Sequence, residues 1–238
     1  MRLFARLMLV TLLGMFALPA HAAPMGPSRI QASYDVYKGN LRGATITETY
    51  TRTQDGYRIE SVSKASGIVA LIKPETIRVI SQGQITPHGL RPTSYTNERK
   101  LDSERNLRAD LDWDTQHITL QDRAGKRSVP LPADTQDRLS AMYQFLFMSL
   151  HDATTLDFHM TNGNKVDIYN FLVTRTQDVT VPLGRFKALY VASLAKSGES
   201  RTEIWLAVEH DNFPCKMVIT DPDGGTLTQV LTRFELEP

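Results

Sequence analysis

Cysteine is almost missing from this chain: Cys215 is the only one in 238 residues. A lone thiol closes no internal disulfide, so stability has to come from a packed interior. Its setting, Phe213-Pro214-Cys215-Lys216-Met217-Val218, reads as an apolar strand, in which a thiol is buried and inert rather than nucleophilic. Net charge is nearly missing too. With 27 Lys and Arg against 26 Asp and Glu the formal charge is +1, which gives no global pull toward nucleic acid or anionic lipid. The histidines beyond residue 22, His88, His117, His151, His159 and His210, form no H-x-x-x-H, H-E-x-x-H or H-x-H pattern, so zinc has no local support. No G-x-S-x-G is present. No repeat or low-complexity tract is found either. The expectation is therefore no catalytic residue, no metal and no cofactor.

Long apolar runs are also scarce, and the one that exists is informative. Residues 7–18 are apolar apart from Thr11 and Gly14, follow Arg2 and Arg6, and precede Pro19-Ala20-His21-Ala22. The run falls short of the roughly 20 residues that span a bilayer. A basic start, a short apolar middle and small residues three and one before a cut form a secretory signal cleaved near Ala22. Losing those 22 residues leaves 216 and removes two arginines, so the formal charge becomes −1. Cys215 lies far from the cut, which leaves no thiol there for a lipid anchor. The reading is a soluble periplasmic protein with no transmembrane segment after processing, one β-rich domain over 23–238, and a short linker at 23–28.

Most of that domain alternates apolar and polar residues at period two, the mark of strands with one buried face. Ile30-Gln31-Ala32-Ser33-Tyr34-Asp35-Val36-Tyr37 runs through Lys38-Gly39-Asn40 into 41–52, and Gln54-Asp55-Gly56 turns the chain into 57–62. Turn residues between alternating runs signal hairpins. Further strands are expected at 76–82, 93–100, 107–113, 117–122, 155–160, 165–175, 177–181, 188–195, 202–209, 215–220 and 226–235. Residues 137–150 depart from this pattern. Leu139, Met142, Tyr143, Leu146 and Leu150 recur at helical spacing, Asp134 or Thr135 stands ready to cap, and Ala141, Phe145, Phe147 and Met148 widen the apolar arc. Only Ser140 and Gln144 leave a polar stripe, suited to meeting backbone groups at a sheet edge. A helix apolar nearly all round has to be buried. The fold expected is mainly β: a strongly curved antiparallel sheet or open barrel wrapped around one buried apolar helix, 137–150.

Four short motifs occur in order: Gly89-Leu90-Arg91-Pro92, Asp137-x-Leu139-Ser140-x-x-Tyr143, Val181-Pro182-Leu183-Gly184-x-Phe186, and Trp205-Leu206-Ala207 followed by Phe213-Pro214. Together they resemble the DUF3108 family of exported bacterial proteins of unknown function, over roughly residues 30–236. The resemblance implies a curved sheet enclosing a helix, similar in outline to envelope carriers of the LolA/LolB type, and it brings no catalytic residues. The family commonly has Thr-Pro-Leu-Gly where this chain has Val181-Pro182-Leu183-Gly184, and without that hydroxyl the segment reads as a tight turn.

Two acidic strings look at first like cation sites. Asp110, Asp112 and Asp114 alternate on one strand side and read as a solvated face, with Leu111 and Trp113 pointing to a core. Asp221-Pro222-Asp223-Gly224-Gly225 lacks the later ligands of a calcium loop and suits a β-turn. What remains is a cleft between the sheet and the apolar helix. Met142, Tyr143, Phe145, Leu146, Phe147 and Trp205 would line it, and adaptable methionines suit acyl chains. The leading expectation is a non-enzymatic periplasmic protein holding a hydrophobic or amphipathic, lipid-like envelope component. The alternatives are a module that pairs a sheet edge with another envelope protein, and a cell-wall hydrolase using acids such as Asp152 and Asp157.

Overall fold

The computed structural model describes residues 26–196 and 198–238. The expected export signal, residues 1–22, lies outside the described residues. Fifteen strands make one sheet: β1 (Arg29–Lys38), β2 (Leu41–Thr53), β3 (Gly56–Ala65), β4 (Thr76–Thr86), β5 (Gly89–Arg99), β6 (Leu107–Asp112), β7 (His117–Asp122), β8 (Gly125–Pro130), β9 (Gln136–Asp137), β10 (Thr155–Thr161), β11 (Val166–Val181), β12 (Gly184–Ser193), β13 (Arg201–Ala207), β14 (Phe213–Thr220) and β15 (Thr226–Glu237). Their order is β8-β7-β6-β5-β4-β3-β2-β1-β15-β14-β13-β12-β11-β10-β9. Every neighbour is antiparallel except the short parallel pair β9–β10. The mainly β expectation holds, as one curved sheet not closed into a barrel.

Period two explains the faces. In β1, Ile30, Ala32, Tyr34 and Val36 are buried while their neighbours reach outward. Turn chemistry explains the hairpins: Gly39 takes φ 58° between β1 and β2, and Val181 pairs with Gly184 across the two-residue Pro182-Leu183 turn. Asp221 to Gly225 is likewise a turn, closed by Asp221 N–H to Gly225 C=O at 2.8 Å. Two of the expected strands, 165–175 and 177–181, are one continuous β11 with an irregularity between Thr174 and Gln177, and β8 is additional to those expected.

The two halves of the sheet curl toward each other and meet through side chains rather than a ladder. Gln136 on β9 donates from Nε2 to the Leu90 carbonyl of β5 at 2.8 Å. Arg127 on β8 reaches Asn164 beyond β10, bonding its Oδ1 at 2.6 Å. At that hairpin tip Gly163 has φ 89°, and a Cβ there would meet Leu107 at 2.8 Å.

Residues 137–150 do not form the expected helix. Asp137 is still strand, only Ser140–Gln144 (α2) is α-helical, and Phe145–Phe147 is a single 3-10 turn. Local spacing lost to three tertiary demands. Asp137 and Arg138 are held to Thr161 on β10, Phe145 packs in a cluster with Leu156, Phe158 and Ile204, and Phe147 turns toward an open cleft. The buried surface of α2 is not purely apolar either, since it includes Ser140 and Gln144. Its start is capped by Asp137, not Asp134 or Thr135. The Asp137 carboxylate accepts from Ser140 N at 2.8 Å, and Ser140 Oγ accepts from Asp137 N at 2.9 Å, a reciprocal capping box. A second short helix, α1 (Gly67–Ile72), joins β3 to β4.

Candidate functional site

At the end of the sheet where β4 turns into β5 lies a cleft of about 990 Å³. Its walls come from five stretches distant in sequence: the β4–β5 turn, the β6–β7 turn, residues 131–136, the exit of α2, and β10. Its apolar lining includes Leu90, Trp113, Leu131, Phe147, Met148 and Phe158, and its charged and imidazole lining is His88, Arg91, His159, Asp134 and Asp157. Trp113 is fixed, donating from Nε1 to Pro92 O at 2.7 Å while the Arg91 guanidinium sits 4.7 Å over its ring. Among the described residues no serine or cysteine lines the cleft, and no group of three or more His, Cys, Asp or Glu could hold a metal.

Two glutamines build the floor. The first five residues of β5 have no strand partner on the β6 side, because β6 pairs only with Ser94–Asn97. Leu90 therefore presents an N–H and a C=O with no ladder to meet them. Gln144 Oε1 accepts the N–H at 2.7 Å and Gln136 Nε2 donates to the C=O at 2.8 Å, while Gln144 Nε2 also reaches His88 O at 2.7 Å. The polar stripe read from the sequence does meet a sheet edge. Gly89 makes room for it: φ is 101°, and a Cβ would stand 2.5 Å from Gln144 Oε1. Replacing Gln144 with alanine strands the Leu90 N–H and the His88 C=O and is expected to cost about 2 kcal/mol. Urea unfolding should show that loss, with faster amide exchange at Leu90. Unchanged exchange there would contradict the assignment.

Beneath the floor two carboxyl groups are buried among tyrosines. Tyr143 donates its hydroxyl to Glu48 Oε2 at 3.2 Å and Ser61 donates to Oε1 at 3.0 Å. Burial raises the Glu48 carboxyl to about 7 despite these two donors. Asp137 receives Ser81 Oγ at 2.5 Å and the N–H groups of Leu139 and Ser140 at 2.9 and 2.8 Å. Burial still outweighs those donors and lifts it to about 6. The motif Asp137-x-Leu139-Ser140-x-x-Tyr143 thus pins α2 into the curved sheet at both ends of its single turn.

Of the residues expected to line a cleft, Phe147 alone does so. Tyr143 and Phe145 are fully buried core, Met142 and Leu146 are packed against it, and Trp205 on β13 meets the Tyr190 ring at a tilt, 5.0 Å between centroids, and lies under Lys216 at 4.6 Å. Cys215 is buried, donates to Trp205 O at 3.3 Å, and burial pushes its thiol up to about 12. Asp110 and Asp112 share the outward face of β6 with Leu111 buried on the other, and Asp110 pairs with Arg108; Asp114 lies beyond the strand, in a turn whose Asp114 and Thr115 N–H groups Asp112 accepts. Asp157 lines the cleft, whereas Asp152 binds Arg175 and His151 on the exposed surface. Asp152 and Asp157 therefore do not share a site.

The pattern described as a protein of unknown function, DUF3108, matches residues 33–232. The chain belongs to the DUF3108 family. Comparison with curated proteins gives no match. Among solved structures it is similar to a β-barrel-like protein of the DUF1849 domain from Brucella abortus, with TM-score 0.59, 11% identity, and 91% of this chain and 100% of that one covered. An exported protein with a YmcC-like fold from Bacteroides fragilis aligns with TM-score 0.33 at 11% identity, covering 87% of this chain and 95% of that one. The first of these supports the fold alone.

Proposed function

We propose that this DUF3108 protein is a non-enzymatic periplasmic binding protein that holds an amphipathic, lipid-like envelope component. The apolar part of the ligand lies against Phe147, Met148 and Phe158, and its polar end lies at His88, Arg91 and His159. The observation that carries this reading is the cleft of about 990 Å³ whose lining combines aromatic and methionine side chains with a few charged ones. Ligand pockets run from roughly 300 to 1,000 Å³ and combine apolar lining with a few placed polar groups. Met148 can adapt to chains of differing shape. The signal read at residues 1–22 supports the compartment.

Native mass spectrometry and solvent extraction of protein purified from the periplasm test the proposal. The protein should carry an apolar molecule, and Phe147→Asp should lower its retention by roughly tenfold or more. Trp205→Phe, which lies away from the cleft, should leave retention unchanged. A wild-type protein that carries nothing apolar sinks the reading. Pairing through a sheet edge has less support. The edge strand β8 ends in Pro130, carries Lys126, and folds Arg127 back onto Asn164, which are the devices that blunt an edge.

A further inference from the structure

The end of the sheet opposite the cleft carries the most exposed large apolar side chains among the described residues. Helix α1 is Gly-Ile-Val-Ala-Leu-Ile with no buried residue; Ile68 is 59% exposed, Leu71 85% and Ile72 80%. Gly67, at φ 57°, starts it and Pro74 follows its end; Val69 faces Gly43 of β2, while Leu71 and Ile72 are left exposed to solvent. The Ser66 N–H bonds Gly43 O at 3.0 Å, which sets α1 beside the β1–β2 turn and the half-exposed Leu41. On its other side Glu75 Oε1 accepts the Leu101 N–H at 3.1 Å and brings the half-exposed Leu101 alongside.

Four exposed lysines surround this apolar tip: Lys38, Lys64, Lys73 and Lys100. Lys73 follows α1 directly. Lys64 pairs with Thr76 across β3–β4, and the Lys100 N–H bonds Thr76 O at 3.0 Å. None of the four has an ion-pair partner among the described residues. Among the nearby acids Asp35 pairs with Arg42 at 2.6 Å, Asp102 with Arg105 at 3.8 Å, and Glu75 accepts the Thr76 and Leu101 amides, while Asp221 and Asp223 lie on the turn beside Lys38, where the Gly39 N–H bonds Thr226 O at 3.0 Å. Lys64, Lys73 and Lys100 thus stand without an ion pair on the α1 side of this end.

We propose that this tip docks the protein on an anionic lipid surface, with Leu71 and Ile72 entering the interface and the lysine collar meeting the headgroups. Lysine is depleted in the cores of protein interfaces, whereas basic collars around protruding Leu and Ile are how interfacial elements hold to anionic membranes. Lysine stems also lie along apolar surface while keeping their charge in the wet layer. The cleft stays free in this arrangement, because β4 has 11 residues and separates the two ends by roughly 35 Å. Docking does not depend on the cleft having a ligand.

Co-sedimentation of the full-length processed protein with phosphatidylethanolamine vesicles, with and without phosphatidylglycerol, tests this. The wild type should pellet only with phosphatidylglycerol present and should be released as salt is raised. Leu71→Glu with Ile72→Glu should lower the bound fraction roughly tenfold or more, and Lys73→Glu with Lys100→Glu should remove the salt dependence. All four positions are solvent-exposed, so thermal unfolding serves as the check that these variants stay folded. Equal pelleting by wild type and the double-Glu variant overturns the proposal. So does a photocrosslinker at position 71 that captures one protein, and not lipid, in cells.

Discussion

Tyr143→Ala is expected to lower the free energy of unfolding by about 4 kcal/mol, the range of aromatic-to-alanine changes in a packed core. Tyr143 has no exposed surface. Its ring stacks on Tyr50 at 5.7 Å and meets the edge of Phe213 at 5.5 Å, so truncation opens a hole between β2, β14 and α2. It also takes from Glu48 one of two hydroxyl donors. Tyr143→Phe separates the two effects: it keeps the ring and loses only the hydrogen bond, at a cost of about 1 kcal/mol. Urea titrations of the three proteins measure both differences. A loss under about 2 kcal/mol for the alanine variant would show that the site collapses around the hole.

The second large effect depends on pH. The Glu48 carboxyl has an ordinary value of 4.5 in the unfolded chain and about 7 in the fold, because burial disfavours its charge. A raised folded value means that the fold binds the proton more tightly than the open chain does. The stability this gives is complete below pH 4.5 and is lost as pH rises to 7, after which the curve levels. The loss comes to about 3 kcal/mol, since each tenfold gain in proton affinity is worth roughly 1.4 kcal/mol. Glu48→Gln stays neutral, so at pH 8 it should be the more stable protein by about that amount, and its curve should be flat between pH 6 and 7.5. It should keep a slope below pH 6, where Asp137, also raised, titrates. Parallel curves for the two proteins between pH 6 and 7.5 would rule out Glu48 as the source.

The hairpins were legible in the sequence because alternation and turn residues agree with each other, as at Lys38-Gly39-Asn40 and Asp221 to Gly225. Residues 137–150 misled because helical spacing records only that apolar residues recur, not that they share one partner. Tyr143, Phe145 and Phe147 belong to the core, a second cluster and the cleft respectively. Glu48 left a faint signal: it stands in phase with Tyr50 on the inward face of β2, where a charge is out of place. Helix α1 has an apolar run of only five residues, too short to show a period. The cleft was the hardest to foresee, since its walls are contributed by segments up to about seventy residues apart and only the curvature of the sheet joins them.

The strand order has a consequence for how the chain folds. β1 lies in the middle of the sheet, between β2, its neighbour in sequence, and β15, the last strand, with Arg29 opposite both Thr51 and Glu237. The runs β1 to β8 and β10 to β15 can each zip up from local hairpins, but the β1–β15 seam between them requires closing a loop of nearly the whole chain. Such distant pairings are slow, because the entropy of loop closure is lost before any contact offsets it. A ribosome or translocon delivering this chain amino end first therefore holds a protein whose central seam stays open until its final dozen residues emerge.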